Sequence, residues 1–320
     1  GIDEDGLIQT DGFFPPNVVD DAGTPHAGAN PPPNDGLQFD PPLNLALPPA
    51  PEVGLIVKRS AAGAWMDDNG GDWSSFVNGA NAEASGRPEG WTLPDRDLAI
   101  LDADSLQVTY STGLMNLCMD VAVNPATGDV SVIGTDATNE IRFEANVNGT
   151  FLRVLMAHVD EGNPADTSTV DLNPHLTYAV RTVPQATRDL SLGDPRAIVW
   201  NAAGSTAWIA GMGSNNVIRV DAAGARKSAQ PIDVGAGPSA LALDEARGRL
   251  YVWDRFGGSI SVVGTGSATL LEQVPIFDPT PPAIQSGRRL LYDTHATSGL
   301  GHVACASCHV DARMDRLAWD

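Results

Sequence analysis

From about residue 51 to residue 270, apolar and polar positions alternate in short runs bounded by Gly, Asp and Asn. That is the period of half-buried strands and not of helices. Three stretches repeat one another. Residues 121–123 lead through Asn124-Pro125-Ala126-Thr127-Gly128 into 130–133. Residues 197–200 lead through Asn201-Ala202-Ala203-Gly204 into 207–210, and 240–243 through Asp244-Glu245-Ala246-Arg247-Gly248 into 250–253. In each, an Asn or Asp opens a turn through its side chain and a Gly closes it at positive φ, which predicts strand, tight turn, returning strand. A further apolar alternation follows at 139–143, 216–220 and 259–263, and 97–102 carries an earlier copy of it. Pro195 and Pro238 lie 43 residues apart, and Gly204 and Gly248 lie 44 apart. The longer gap from Gly128 to Gly204 predicts an insertion, placed around 144–190.

A repeat in the low forties with about four short strands per unit is the period of a propeller blade. Over residues 51–270 these units resemble the YVTN-type β-propeller family. The resemblance implies an all-β fold, a β-propeller of YVTN-like blades, with the scattered Trp residues packed between sheets. The chain then divides into three parts: a Pro-rich arm at 1–50, the propeller at 51–275 and a C-terminal segment at 276–320. The arm carries Pro15-Pro16, Pro31-Pro32-Pro33, Pro41-Pro42 and Pro48-Pro49. Proline lacks the backbone donor and fixes φ, so this stretch reads as an extended arm or linker. Propeller blades serve enzymes, receptors and assembly modules alike, so function must come from a site.

One motif carries specific chemistry. Cys305-Ala306-Ser307-Cys308-His309 has the C-x-x-C-H spacing of c-type haem attachment. The two thiols bond the porphyrin covalently and the adjoining His becomes the proximal ligand of the iron. A redox dithiol or half a zinc site shares the C-x-x-C spacing alone; zinc needs two further ligands, and His295 and His302 are the histidines at hand. The same two are the nearest candidates for a distal ligand, while His158, His175 and Met212 would have to be delivered by the blades. Met314 follows His309 too closely to reach the opposite face. The approach to the motif, from Ser286-Gly287-Arg288-Arg289-Leu290-Leu291-Tyr292-Asp293-Thr294 through Ser298-Gly299, resembles the di-haem cytochrome c peroxidase and MauG-like family. The resemblance covers residues 286–320 and implies redox chemistry, either electron transfer or peroxidase-like. That family continues past its first C-x-x-C-H with a helical domain, whereas eleven residues follow His309 in this sequence. The expectation is therefore a haem whose pocket is completed by the propeller, by another chain or by further sequence.

Composition narrows the partners. Nineteen Lys and Arg stand against forty Asp and Glu, a formal charge of −21. A field of that sign repels phosphate backbones and anionic head groups, which argues against nucleic acid as a partner. No run of residues is long and apolar enough for a membrane span. Covalent haem attachment of this kind takes place outside the bacterial cytoplasm, so the expected location is periplasm, cell surface or culture medium, with a redox protein or another copy as partner. Asp3-Glu4-Asp5-Gly6 with Asp11-Gly12, and Asp67-Asp68-Asn69-Gly70-Gly71-Asp72, place oxygen ligands as calcium loops do, or are solvated turns. Cys118, in an apolar run, reads as a buried thiol, and no phosphate loop, nucleophile elbow or His-Glu-x-x-His occurs.

Overall fold

The computed structural model describes residues 18–29 and 55–313, apart from 61, 68, 94–95, 139–151, 179 and 181. The arm at 1–50 lies largely outside these, as do the 139–143 alternation, Met314 and Trp319. A short hairpin comes first, β1 (Lys58–Arg59) with β2 (Trp65–Met66), followed by one helical turn, α1 (Ser74–Val77). Next is a two-stranded antiparallel sheet, β3 (Leu98–Leu101) with β4 (Val108–Ser111). Three four-stranded antiparallel sheets follow among the described residues. The first contains β5 (Leu117–Val123), β6 (Val130–Ala137), β7 (Leu152–Val159) and β8 (Thr167–Asp171). After one helical turn, α2 (Gln185–Arg188), the second contains β9 (Pro195–Trp200), β10 (Ala207–Gly211), β11 (Asn216–Val220) and β12 (Ile232–Asp233). The third contains β13 (Pro238–Asp244), β14 (Arg249–Asp254), β15 (Ser259–Gly264) and β16 (Thr269–Pro275).

Each sheet is a meander whose strands pair in chain order, and the first strands β5, β9 and β13 stand next to one another. Short up-and-down sheets stacked face to face around their first strands are propeller blades. The fold is all-β, of propeller type. The turns that open each blade form as their residues dictate. Asn124 Oδ1 accepts from Ala126 N at 3.0 Å, Asn201 Oδ1 from Ser205 N at 2.9 Å, and Asp244 Oδ1 from Arg247 N at 3.0 Å. The closing glycines 128, 204 and 248 have φ of 84°, 61° and 62°.

The core is a series of layers between blades. Ile133, Val154, Met156 and Leu172 of the first blade meet Ile198, Trp200, Ile209 and Ile218 of the second. Ala197, Trp208, Ala210, Val217 and Ile232 on the second blade's other face meet Leu250, Val252 and Val263 of the third. Polar links register the layers: Asn124 Nδ2 donates to Gly204 O at 3.0 Å, Asp120 Oδ2 accepts from Ile198 N at 2.9 Å, and Glu245 Oε1 accepts from Ala202 N at 2.9 Å.

Three sequence expectations need correction. Residues 144–190 are not simply an insertion, because β7 and β8 lie there as the third and fourth strands of the first blade. β7 buries Leu152, Val154, Met156, Ala157 and Val159, so packing selects this run. Residues 55–91 are not a blade: Trp65, Trp73, Phe76 and Val77 gather with Val19 into a separate aromatic cluster around α1. Trp200 and Trp208 do pack between blades, but Trp253 stands 37% exposed on the outer face of the third.

Candidate functional site

The C-terminal segment contains α3 (Pro282–Tyr292), α4 (Thr294–Thr297) and α5 (Cys305–Cys308), and α3 packs against α5. Its first anchor is aromatic: Tyr292 lies 4.8 Å from Phe256 between ring centroids, and the Arg288 guanidinium lies over the Phe256 ring, 5.3 Å from its centroid. The second is steric. Thr294 is fully buried, its N–H donates to Gly213 O at 2.9 Å, and it fills the slot left where Gly193 and Gly213 have no side chain. A Cβ on Gly193 would sit 2.6 Å from Thr294 Cγ2. The third is a set of hydrogen bonds to the loop between the first two blades. Ser191 Oγ donates to Leu300 O at 2.8 Å, Val183 N to Gly299 O at 2.9 Å, and His295 Nε2 to Ser191 O at 3.0 Å. Gly301, at φ 80°, passes so close to Arg188 that a Cβ would lie 2.6 Å from its carbonyl oxygen. The segment is thus laced onto the chain's own blades.

The motif itself is one turn of helix. Ala304 N donates to Ser307 Oγ at 3.0 Å and His309 N to Cys305 O at 2.9 Å, which fixes the turn at both ends. Residues three apart share a helix face, so Cys305 and Cys308 lie on one side of the turn, and His309 follows directly as its C-cap. Cys305 is exposed, Cys308 is half-buried, and neither forms a disulfide. His309 Nδ1 lies 3.1 Å from Arg313 O. A carbonyl can only accept, so Nδ1 donates, and in the neutral imidazole that leaves the lone pair on Nε2, the tautomer an iron ligand needs. An exposed thiol, a half-buried thiol and an imidazole held through Nδ1 are the donor types that covalent haem takes. Among the described residues no three His, Cys, Asp or Glu side chains converge as a zinc site requires.

The other histidines are placed differently. His302 is 2% exposed, its Nε2 donates to Leu152 O at 2.8 Å, and its ring meets Tyr178 edge-on at 5.6 Å. Burial holds its pKa down to about 4, so it is a neutral core residue. His295 is held by Ser191 O as described. Both candidate distal ligands therefore spend Nε2 on blade-side carbonyls. His175 Nε2 pairs with Ser191 Oγ at 3.2 Å and its pKa is lowered to about 4, by burial first and Arg226 second. His158 is a β7 residue paired with Ser131 across the strand, and Met212 is 3% exposed in the core. Cys118 is half-buried and not the buried thiol expected: it packs at the margin of the cluster that holds Leu114 and Val132. In the second acidic turn, Asp67 accepts from Gly71 N and Asn69 N on Oδ1, and from Trp73 Nε1 at 2.8 Å and His26 Nε2 at 2.6 Å on Oδ2. Burial pushes this carboxyl up, but the bonds from Trp73 and His26 outweigh it and hold the pKa below the usual range. Its oxygens are committed to N–H donors, which is not how a calcium ligand is presented. Asp3, Glu4, Asp5 and Asp11 lie outside the described residues.

Sequence reasoning missed one group beside the motif. Arg196, on β9, donates from Nε to Asp194 Oδ1 at 2.7 Å and from Nη1 to Asp311 Oδ1 at 3.0 Å. Burial works against its charge, and the two carboxylates prevail, so its pKa is raised. The partners are 115 residues apart in sequence, so no local pattern signals the pair.

No family model matches this chain, and no curated protein does. Solved structures with a similar fold include hydrazine synthase of Kuenenia stuttgartiensis, at 15% identity over 52% of this chain and 50% of that one, with a TM-score of 0.41. Streptogramin B lyase follows at 14% identity over 77% and 60%, TM-score 0.37, and virginiamycin B lyase from Staphylococcus aureus at 14% over 76% and 61%, TM-score 0.36. The chain spans between half and about three fifths of the length of these structures.

Proposed function

We propose that this chain is an exported bacterial c-type haem protein that transfers single electrons from a propeller scaffold. Cys305 and Cys308 would hold the haem covalently, and His309 Nε2 would face the iron from the proximal side. The observation that carries this reading is the single turn presenting both thiols beside an imidazole whose Nδ1 is already committed to Arg313 O. The haem supplies one-electron redox chemistry when bound. The chain's own residues position it: the Thr294 slot, the Leu300 and Gly299 bonds and buried His302 hold the motif against the first two blades. Attachment sets the location outside the cytoplasm, and the redox partner would be a protein. No described helix is long and apolar enough to cross a membrane.

The test is expression in a bacterial periplasm with haem-attachment machinery, followed by pyridine haemochrome spectra and potentiometry. A c-type spectrum with a reversible one-electron wave and slow peroxide turnover supports the reading. Rapid peroxide turnover would move it to the peroxidase-like class, and a colourless protein would sink it.

A second reading, an interaction module with a structural haem, draws on the third blade. Pairing positions place Ala240, Tyr251, Trp253, Ile260 and Val274 of that blade where Ala197, Trp208, Ala210, Val217 and Ile232 of the second blade bury their interface. An apolar face of that design suits another sheet. Sedimentation of the haem-loaded protein tests it: a species of more than one chain favours this reading, and a monomer at all concentrations removes it.

A further inference from the structure

We infer that Arg196 is a positioning residue for His309, acting from the blade through Asp311; the inference rests on the haem reading above. The chain of contacts is continuous. Asp194, 3% exposed, takes the Arg196 guanidinium in a fork, Nε on Oδ1 at 2.7 Å and Nη2 on Oδ2 at 3.3 Å. That fork leaves Nη1 aimed at Asp311 Oδ1, 3.0 Å away. Arg196 is rooted in β9, the first strand of its blade, so its direction is set by the sheet.

Asp311 sits in a turn that needs holding. Asp311 and Ala312 both have left-handed backbones, φ 54° and 58°, and neither is glycine. Such residues persist where the surroundings over-determine them. The turn closes with Ala312 N donating to His309 O at 2.9 Å and Arg313 N donating to Val310 O at 3.1 Å. Its product is the position of Arg313 O, the acceptor for His309 Nδ1. Release Asp311 and the turn relaxes toward right-handed backbone, which carries Arg313 O away from the imidazole. A ligating histidine that loses the acceptor for its second nitrogen loses orientation and basicity, and such outer contacts are worth about 10–100-fold in metal affinity.

The test uses the full chain in two states. In the haem-free chain, nitrogen NMR of His309 reads the tautomer: Nδ1-protonated in the parent, a mixture in Arg196→Gln and Asp311→Ala. In the haem-loaded chain, the iron–histidine Raman band should fall in frequency in both variants. The concentration of added imidazole that displaces His309 should drop about 10–100-fold. Arg196→Gln leaves Asp194 buried without its partner and threatens folding, whereas Asp311→Ala cuts only the outer link; Arg196→Lys should restore part of the effect. A parent tautomer that is not Nδ1-protonated, or variants that match the parent in tautomer, Raman band and imidazole midpoint, overturn the inference. If haem never attaches while the tautomer responds as stated, the haem reading fails and the clamp stands.

Discussion

His302 is a buried neutral imidazole, and lowering the pH tests that directly. In the unfolded chain it titrates near 6.5, and in the folded protein near 4. Between those values the unfolded state binds a proton that the folded state refuses, so stability falls as pH falls through that window and levels off below about 4. At about 1.4 kcal/mol per pH unit the full interval is worth about 3 kcal/mol. Other groups titrate in the same range, His175 among them, so the informative quantity is the difference between the parent and His302→Gln. Glutamine keeps an N–H for Leu152 O and cannot be protonated. Urea unfolding at pH 7, 6, 5 and 4.5 should show the parent losing stability faster, with a divergence of at least about 2 kcal/mol by pH 4.5. Parallel curves would refute the placement of His302 as a proton-excluding core residue.

Thr294 Oγ1 is buried without a hydrogen-bond partner. Thr294→Val removes that cost at equal shape and should stabilise the fold by about 1 kcal/mol, read from the urea midpoint. Gly301→Ala meets both a left-handed backbone and the Arg188 carbonyl, and should destabilise by about 2–4 kcal/mol or release the C-terminal segment to protease. Trp200→Ala empties the layer between two blades and should cost about 3–5 kcal/mol, whereas Trp253→Ser on the outer face should stay within about 1 kcal/mol.

The blades were legible because their signals are local. An Asn or Asp opening a turn and a Gly closing it act within five residues, and alternation sets the strands on either side. The Cys305–His309 motif stood out for the same reason, since its residues adjoin one another, although the helical turn it forms was not foreseen. What escaped the sequence reads across long separations. β7 is selected by packing against Trp200 and Ile209. His302 looks like a spare ligand beside Cys305 until Leu152, 150 residues earlier, takes its Nε2. Residues 55–91 carry strand-like alternation, yet Trp65, Trp73 and Phe76 bury one another around a helical turn, and aromatic burial outweighs the local period. Arg196 gave no sign of its role because Asp311, 115 residues away, reaches it only through the docking of the C-terminal segment.

Whether Cys305 and Cys308 carry haem is read by peptide-resolved mass spectrometry of the chain exported with haem-attachment machinery. One haem-sized increment is expected on the peptide that holds both cysteines, lost in Cys305→Ala with Cys308→Ala and retained, with altered spectra, in His309→Ala. A peptide of unmodified mass, with both thiols free to alkylate, would contradict it.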